Sequence, residues 1–235
     1  MTPDPTAPAL LLLHGALGTG AQLDPLAERL RGTIETHALD FEGHGLTAPG
    51  TRPYRIEHFA ENVLAEIDRL RPAAAPWLFG YSMGGYVALH VARHAPHRIA
   101  GVFTLGTKVW WSAEIAAREV AQLDAEAIRA KVPKFASLLE SRHGAGGWPA
   151  VLGRTAEMMR ALGERPPLVE GDLAAIERRV RVGVGDRDAT VPVEECLRLA
   201  RLLPQGELEV FPRTGHAIER VSWDRLARSV QEFVQ

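Results

Sequence analysis

An apolar run over residues 76–79 leads through Gly80-Tyr81-Ser82-Met83-Gly84-Gly85 straight into a helical pattern over 83–94. A chain that passes from strand to helix with no intervening loop must turn sharply at one residue, and here that residue is Ser82. Glycines stand two positions before it and two after. A Cβ at either place would collide with the neighbouring strand or helix. Glycine-x-serine-x-glycine arises by chance as a bare pattern. Between a strand and a helix it holds the serine in a strained backbone and pushes the hydroxyl away from the sheet, which predicts a nucleophile.

Such a turn needs a sheet whose strands alternate with helices. Residues 9–13, Ala-Leu-Leu-Leu-Leu, form a continuous apolar run, as expected of a strand covered on both faces. A glycine-rich loop, 14–20, and a helical pattern over 23–30 follow it. Further strands are expected at 33–39, 99–105, 180–184 and 207–211, and further helices at 193–203 and 223–234. Over 56–70, Ile56, Phe59, Ala60, Val63, Leu64, Ile67 and Leu70 share one helical face. This alternation predicts an α/β fold: a mostly parallel central sheet with right-handed crossovers and helices on both faces. It lapses between residues 107 and 176, where only helical patterns occur, at 113–123, 124–131, 133–142 and 149–162. Asp124 suits an N-cap and Pro133 a first helical position. The expected organisation is a core of residues 1–106 and 177–235 carrying an inserted helical lid, 107–176. The 235 residues, 46% of them hydrophobic, suffice for one large domain. Only the first eight residues read as a loose tail.

A serine hydroxyl is a poor nucleophile at neutral pH. It needs a base to take its proton, and the base needs a carboxylate to fix its tautomer. Both should lie at the carboxyl ends of strands, in the order serine, acid, histidine. Of nine histidines, only His97, His143 and His216 follow the turn and its helix. His97 reads as a surface helix end. His143, in the lid beside Gly144, reads as solvated. His216 lies just past the last strand, where the base should be. The loop after Val184 offers Asp186 and Asp188. Asp186 suits a hydrogen bond to the local backbone, and Asp188 is the preferred acid. A developing oxyanion needs two donors. Met83 N–H, at the start of the helix, is one. Ala16 N–H, in the 14–18 loop, is the other, and Leu17 beside it is expected to touch the substrate.

Five blocks carry a resemblance: Leu-Leu-Leu-His-Gly-Ala-Leu-Gly (11–18), Asp-Phe-Glu-Gly-His-Gly-Leu-Thr (40–47), Gly-Tyr-Ser-Met-Gly-Gly (80–85), Gly-Asp-Arg-Asp-Ala-Thr-Val-Pro (185–192) and Thr-Gly-His (214–216). In this order, over nearly the whole chain, they resemble the α/β-hydrolase fold in its small, helically capped form. The resemblance maps the family's acid onto Asp188. It also makes 40–45 a structural turn, so Asp40 and His44 are not expected to be catalytic. It implies a serine esterase that cleaves a small-molecule carboxylic ester through an acyl-enzyme, with no metal or organic cofactor. Dehalogenases and epoxide hydrolases of this fold carry aspartate, and dienelactone hydrolases cysteine, where Ser82 stands. A lyase resembling menaquinone synthase, a carbon–carbon hydrolase and a non-catalytic receptor are the alternatives. The first places an arginine where this chain has Tyr86.

The lid should choose the substrate. Trp110 and Trp111 either wall an acyl pocket or fasten lid to core, and Met158 and Met159 extend the wall. Lys108 either meets an anionic substrate or is solvated or paired with Glu114. A net charge of −2 with no long basic run argues against nucleic acid. The run 9–13 is too short for a signal or a membrane span. The single cysteine, Cys196, excludes an internal disulfide and argues against a cysteine-based metal site. A cytoplasmic monomer or homodimer is expected.

Overall fold

The computed structural model describes residues 8–45, 47, 50–144 and 147–235. The expected loose tail lies outside them, Pro8 excepted, as does Leu46 of the 40–47 block. The first half of the chain holds β1 (Ala9–Leu13), α1 (Asp24–Leu30), β2 (Glu35–Leu39), α2 (Ile56–Leu70), β3 (Trp77–Tyr81), α3 (Met83–His94) and β4 (Gly101–Leu105). Five helices follow: α4 (Ala113–Val120), α5 (Ala125–Lys131), α6 (Pro133–His143), α7 (Trp148–Glu164) and α8 (Glu170–Ala174). The chain closes with β5 (Arg179–Gly185), α9 (Val193–Leu202), β6 (Gly206–Phe211) and α10 (Trp223–Val234).

The six strands form one sheet in the order β2-β1-β3-β4-β5-β6, and every pairing is parallel. Leu10 to Leu13 are all fully buried. Leu10 and Leu12 join Phe79, Phe103 and Phe211 in a cluster with residues of α1 and α10. Leu11 and Leu13 join the opposite cluster, with residues of α2, α3 and α9. Both faces are therefore covered, and each leucine contributes roughly 1.5–3 kcal/mol of burial. The chain leaves β1 towards β2 on one side and crosses to β3 on the other. The loops after β1 and β3 diverge at this switch of direction and leave a crevice at the carboxyl end of the sheet.

Boundaries shift where a neighbouring helix claims backbone groups. The strand expected from residue 33 begins at Glu35, because the Thr33 and Ile34 N–H groups both donate to the Leu30 carbonyl and close α1. The strand expected from 99 begins at Gly101, since Ile99 N–H donates to Pro96. The helix expected at 113–123 ends at Val120, where Gln122 and Leu123 switch to tighter bonds three residues back. Asp124 caps α5 by accepting Ala127 N–H at 2.7 Å, and Pro133 opens α6. The five-residue α8 was not expected, being too short to show a period.

Candidate active site

Ser82 sits between β3 and α3 with φ 51° and ψ −114°, a conformation that non-glycine residues avoid. Holding it costs on the order of 1–3 kcal/mol, and the surroundings impose it. Ser82 N–H donates to the Leu105 carbonyl at 2.8 Å. The Ser82 carbonyl accepts from Gly85 N–H at 3.0 Å and the Thr107 hydroxyl at 3.1 Å. The flanking glycines are required: a Cβ on Gly80 would strike the backbone of Gly84 and Gly85, and one on Gly84 the Leu13 carbonyl.

His216 lies in the loop after β6. Its Nε2 is 3.2 Å from Ser82 Oγ, and its Nδ1 is 2.8 Å from Asp188 Oδ2. Asp188 is 1% exposed and His216 25%. The other carboxylate oxygen of Asp188 accepts Thr190 and Val191 N–H, each at 2.8 Å. Its Oδ2 is left for Nδ1–H, which turns the lone pair of Nε2 towards the serine. Tyr81 Oη donates to the His216 carbonyl at 3.0 Å and holds the loop from below. Asp186 accepts Thr214 N–H at 3.1 Å instead. Hydrogen bonds from Arg213 and Thr214 keep this exposed carboxyl below the usual carboxylate range. The two aspartates thus divide: Asp186 braces one loop on the next, and Asp188 meets the histidine.

Gly106 and Tyr81 escaped the sequence reading. Gly106 has φ +60°, and a Cβ there would lie 3.1 Å from Asp188 Oδ2 and 3.4 Å from the His216 ring. A glycine directly after a strand was the available signal. The opposite wall is the 14–18 loop. Ala16 and Met83 both border the cavity beside Ser82, and neither N–H has a protein acceptor among the described residues. Leu17 borders it too, at φ +61°. His14 Nδ1–H donates to the Gly15 carbonyl at 2.8 Å and Nε2 accepts Phe41 N–H at 3.2 Å. Burial pushes the His14 pKa down to about 4.

The cavity above Ser82 measures about 320 Å³. Trp111, Met158 and Met159 border it, joined by Phe135 and Leu162. Glu119 and Gln122, on the last turn of α4 and just past it, are polar lining residues that no sequence pattern had marked. Three expectations are corrected. Trp110 does not border the cavity: its ring lies under the Arg198 guanidinium at 4.4 Å and joins the lid to α9. Lys108 borders the cavity but is neither solvated nor paired with Glu114. It is buried, donating to the Thr190 carbonyl at 2.7 Å with Glu195 at 3.9 Å. His143 is not solvated. It is buried at the end of α6 against the core loops, with Nε2 3.1 Å from the Leu17 carbonyl and Nδ1 accepting Gly45 N–H at 3.0 Å.

Away from the crevice, His97 is exposed at a helix end and Cys196 is buried, its thiol pushed up to about 12 by desolvation. Among the described residues no three metal-ligating side chains converge, and no helix is long and apolar enough to cross a membrane.

The sequence model described as the alpha/beta hydrolase family matches residues 10–229. A pimeloyl-[acyl-carrier protein] methyl ester esterase of Vibrio parahaemolyticus is 27% identical over 97% of this chain and 94% of its own length. One from Xanthomonas campestris is 30% identical over 97% and 95%. A thermophilic esterase from Thermogutta terrifontis superposes with TM-score 0.79 at 24% identity, covering 97% of this chain and 90% of that one. A 2-hydroxy-6-oxo-6-phenylhexa-2,4-dienoate hydrolase from Rhodococcus sp. superposes with TM-score 0.82 at 22% identity, covering 99% and 92%. At these identities the solved structures share the fold, and the family match takes in residues of all six strands and the helices between them. This chain belongs to the alpha/beta hydrolase family.

Proposed function

We propose that the protein is a serine esterase that cleaves a small-molecule carboxylic ester through an acyl-enzyme. The observation that carries this reading is the relay from Ser82 Oγ to His216 Nε2 and from His216 Nδ1 to Asp188, set at the floor of an apolar cavity. Ser82 Oγ attacks the acyl carbonyl while His216 Nε2 takes its proton, and Asp188 orients the imidazolium. The oxyanion is received by Ala16 and Met83 N–H. One such donor contributes about 100- to 1000-fold in rate. His216 then protonates the leaving alcohol. Water, activated by the same histidine, releases the acid and restores Ser82. The two methyl ester esterases named above, from Vibrio parahaemolyticus and Xanthomonas campestris, support an ester as the bond cleaved.

Residues 107–176 act in this reading as a cap that roofs the site. Trp111, Met158, Met159 and Leu162 receive the apolar acyl part. Steady-state turnover of p-nitrophenyl esters of graded acyl length tests the proposal. Wild-type turnover should fall by about 10⁴-fold or more in Ser82→Ala. Equal turnover by the two proteins would sink it.

A further inference from the structure

Two imidazoles bracket the Ala16 peptide. His14 donates to the carbonyl of Gly15, the residue before it, and His143 to that of Leu17, the residue after it. Each ring has its tautomer fixed in the same way. The turn after β2 offers Phe41 N–H to His14 Nε2 and Gly45 N–H to His143 Nδ1, so the remaining nitrogen of each must be the donor. His14 belongs to the loop it holds. His143 comes from the last residue of α6, 126 positions away from Leu17.

Leu17 is a non-glycine residue at φ +61°, a conformation the loop does not prefer unaided. The turn bond from Gly18 N–H to the Gly15 carbonyl, at 3.0 Å, spans Leu17 but leaves its own carbonyl to His143. The residue before His143 grips the other side of the site. Arg142 binds Glu219 at 2.9 Å, three positions after His216, and Gln22 binds the same carboxylate at 3.2 Å. One helix end therefore ties together the loop bearing Ala16 and the loop bearing His216.

We infer that His143 is a positioning residue: through its Nε2–H bond to the Leu17 carbonyl, the cap sets the aim of the Ala16 N–H at the developing oxyanion. The inference rests on the esterase reading. His143 touches no reacting atom and acts through the Ala16–Leu17 peptide. Only its neutral form can do so, because an imidazolium has no lone pair for Gly45 N–H. The titratable and charged groups that face it are His14 in the loop, Asp40 and His44 in the turn after β2, and Arg142 on its own helix.

The test compares His143→Ala, His143→Gln and His143→Asn in kcat and KM for p-nitrophenyl butyrate, alongside Tm. The amide nitrogen of glutamine reaches the place of Nε2 and keeps the donor to Leu17. Asparagine reaches only the place of Nδ1 and keeps the acceptor for Gly45. A misaimed oxyanion donor should lower kcat of His143→Ala and His143→Asn by about 10- to 100-fold, with KM within about twofold. His143→Gln should stay within about threefold of wild type. A structural role alone would move Tm and leave the kcat of the folded fraction unchanged. If His143→Ala does not fold, the Gln and Asn variants decide the matter: equal kcat values overturn the inference. With Ser82-dependent turnover present, unchanged kcat in His143→Ala overturns the inference alone. Absence of Ser82-dependent turnover in the wild type overturns the esterase reading and the inference with it.

Discussion

Ser82, Asp188 and His216 are held from the sheet side, and Trp111, Met158 and Met159 from the helical 107–176 segment, by different means. Around Ser82 the restraints are main-chain ones: N–H to the Leu105 carbonyl, carbonyl to Gly85 N–H, and glycines where Cβ atoms cannot go. Asp188 is fixed by two backbone N–H groups. The 107–176 segment instead meets the rest of the chain through side chains: the Arg198 guanidinium on Trp110, Lys108 on the Thr190 carbonyl, His143 on Leu17 and Arg142 on Glu219. A main-chain scaffold sets angles that chemistry depends on. A side-chain scaffold allows the roof to vary while the floor stays put.

Substitutions at the floor should therefore act on kcat, and substitutions of the roof residues that line the cavity on KM; His143, which reaches from the roof to the floor, belongs with the first group. The largest contrast is between the two aspartates. Asp188→Asn should cut kcat by about 10⁴-fold, since the imidazole loses its orienting acceptor. Asp186→Asn, which touches only Thr214 N–H and Arg213, should stay within about threefold. The reverse ranking would exchange their roles. Gly106→Ala comes next. Its Cβ would press on Asp188 and His216 from a φ unsuited to alanine, and kcat should fall by about 100-fold as the pair is displaced. An unchanged kcat would show that the pair tolerates movement.

The roof responds more weakly. Trp111→Ala should raise KM for long-chain p-nitrophenyl esters by about 10-fold with kcat nearly constant, because ring surface against the acyl chain is lost. Trp110→Ala, whose half-buried ring faces Arg198 and packs on the core, should leave KM within about twofold and lower stability by about 1–3 kcal/mol. Equal KM effects at the two positions would erase the distinction between lining and fastening.

A separate effect, on stability and not on turnover, belongs to the histidines beneath the site. Burial depresses the pKa of His14 to about 4, and those of His44 and His143 also fall. Below pH 6.5 the unfolded chain takes up protons that the folded chain refuses. Stability should then decline from about pH 6.5 towards pH 4, by about 1 kcal/mol per pH unit for His14. Tm measured from pH 7.5 to 4.5 checks this, and a flat Tm above pH 5 would contradict it.

What the sequence made legible follows the same division. Gly80, Gly84 and the order serine, aspartate, histidine reflect backbone necessities, so they leave local patterns. The buried leucines of β1 leave one as well. His143 left none: its partners lie at positions 17 and 45, and the adjacent Gly144 suggested solvent. Lys108 misled, and the two readings of Trp110 stayed undivided, for the same reason: a side chain's long-range partner is set by packing between elements and not by its neighbours in the chain. Gly106 was legible in principle, as a glycine at a strand end, yet its partners are 82 and 110 residues further on.

The most direct measurement is covalent. Purified protein is treated with a fluorophosphonate, and the modified residue is located by peptide mass mapping in the wild type and in His216→Ala. An activated Ser82 requires one phosphonyl group per chain, on Ser82, in the wild type, with labelling slowed by orders of magnitude in His216→Ala. An unlabelled Ser82, or labelling that proceeds equally without His216, would contradict the account.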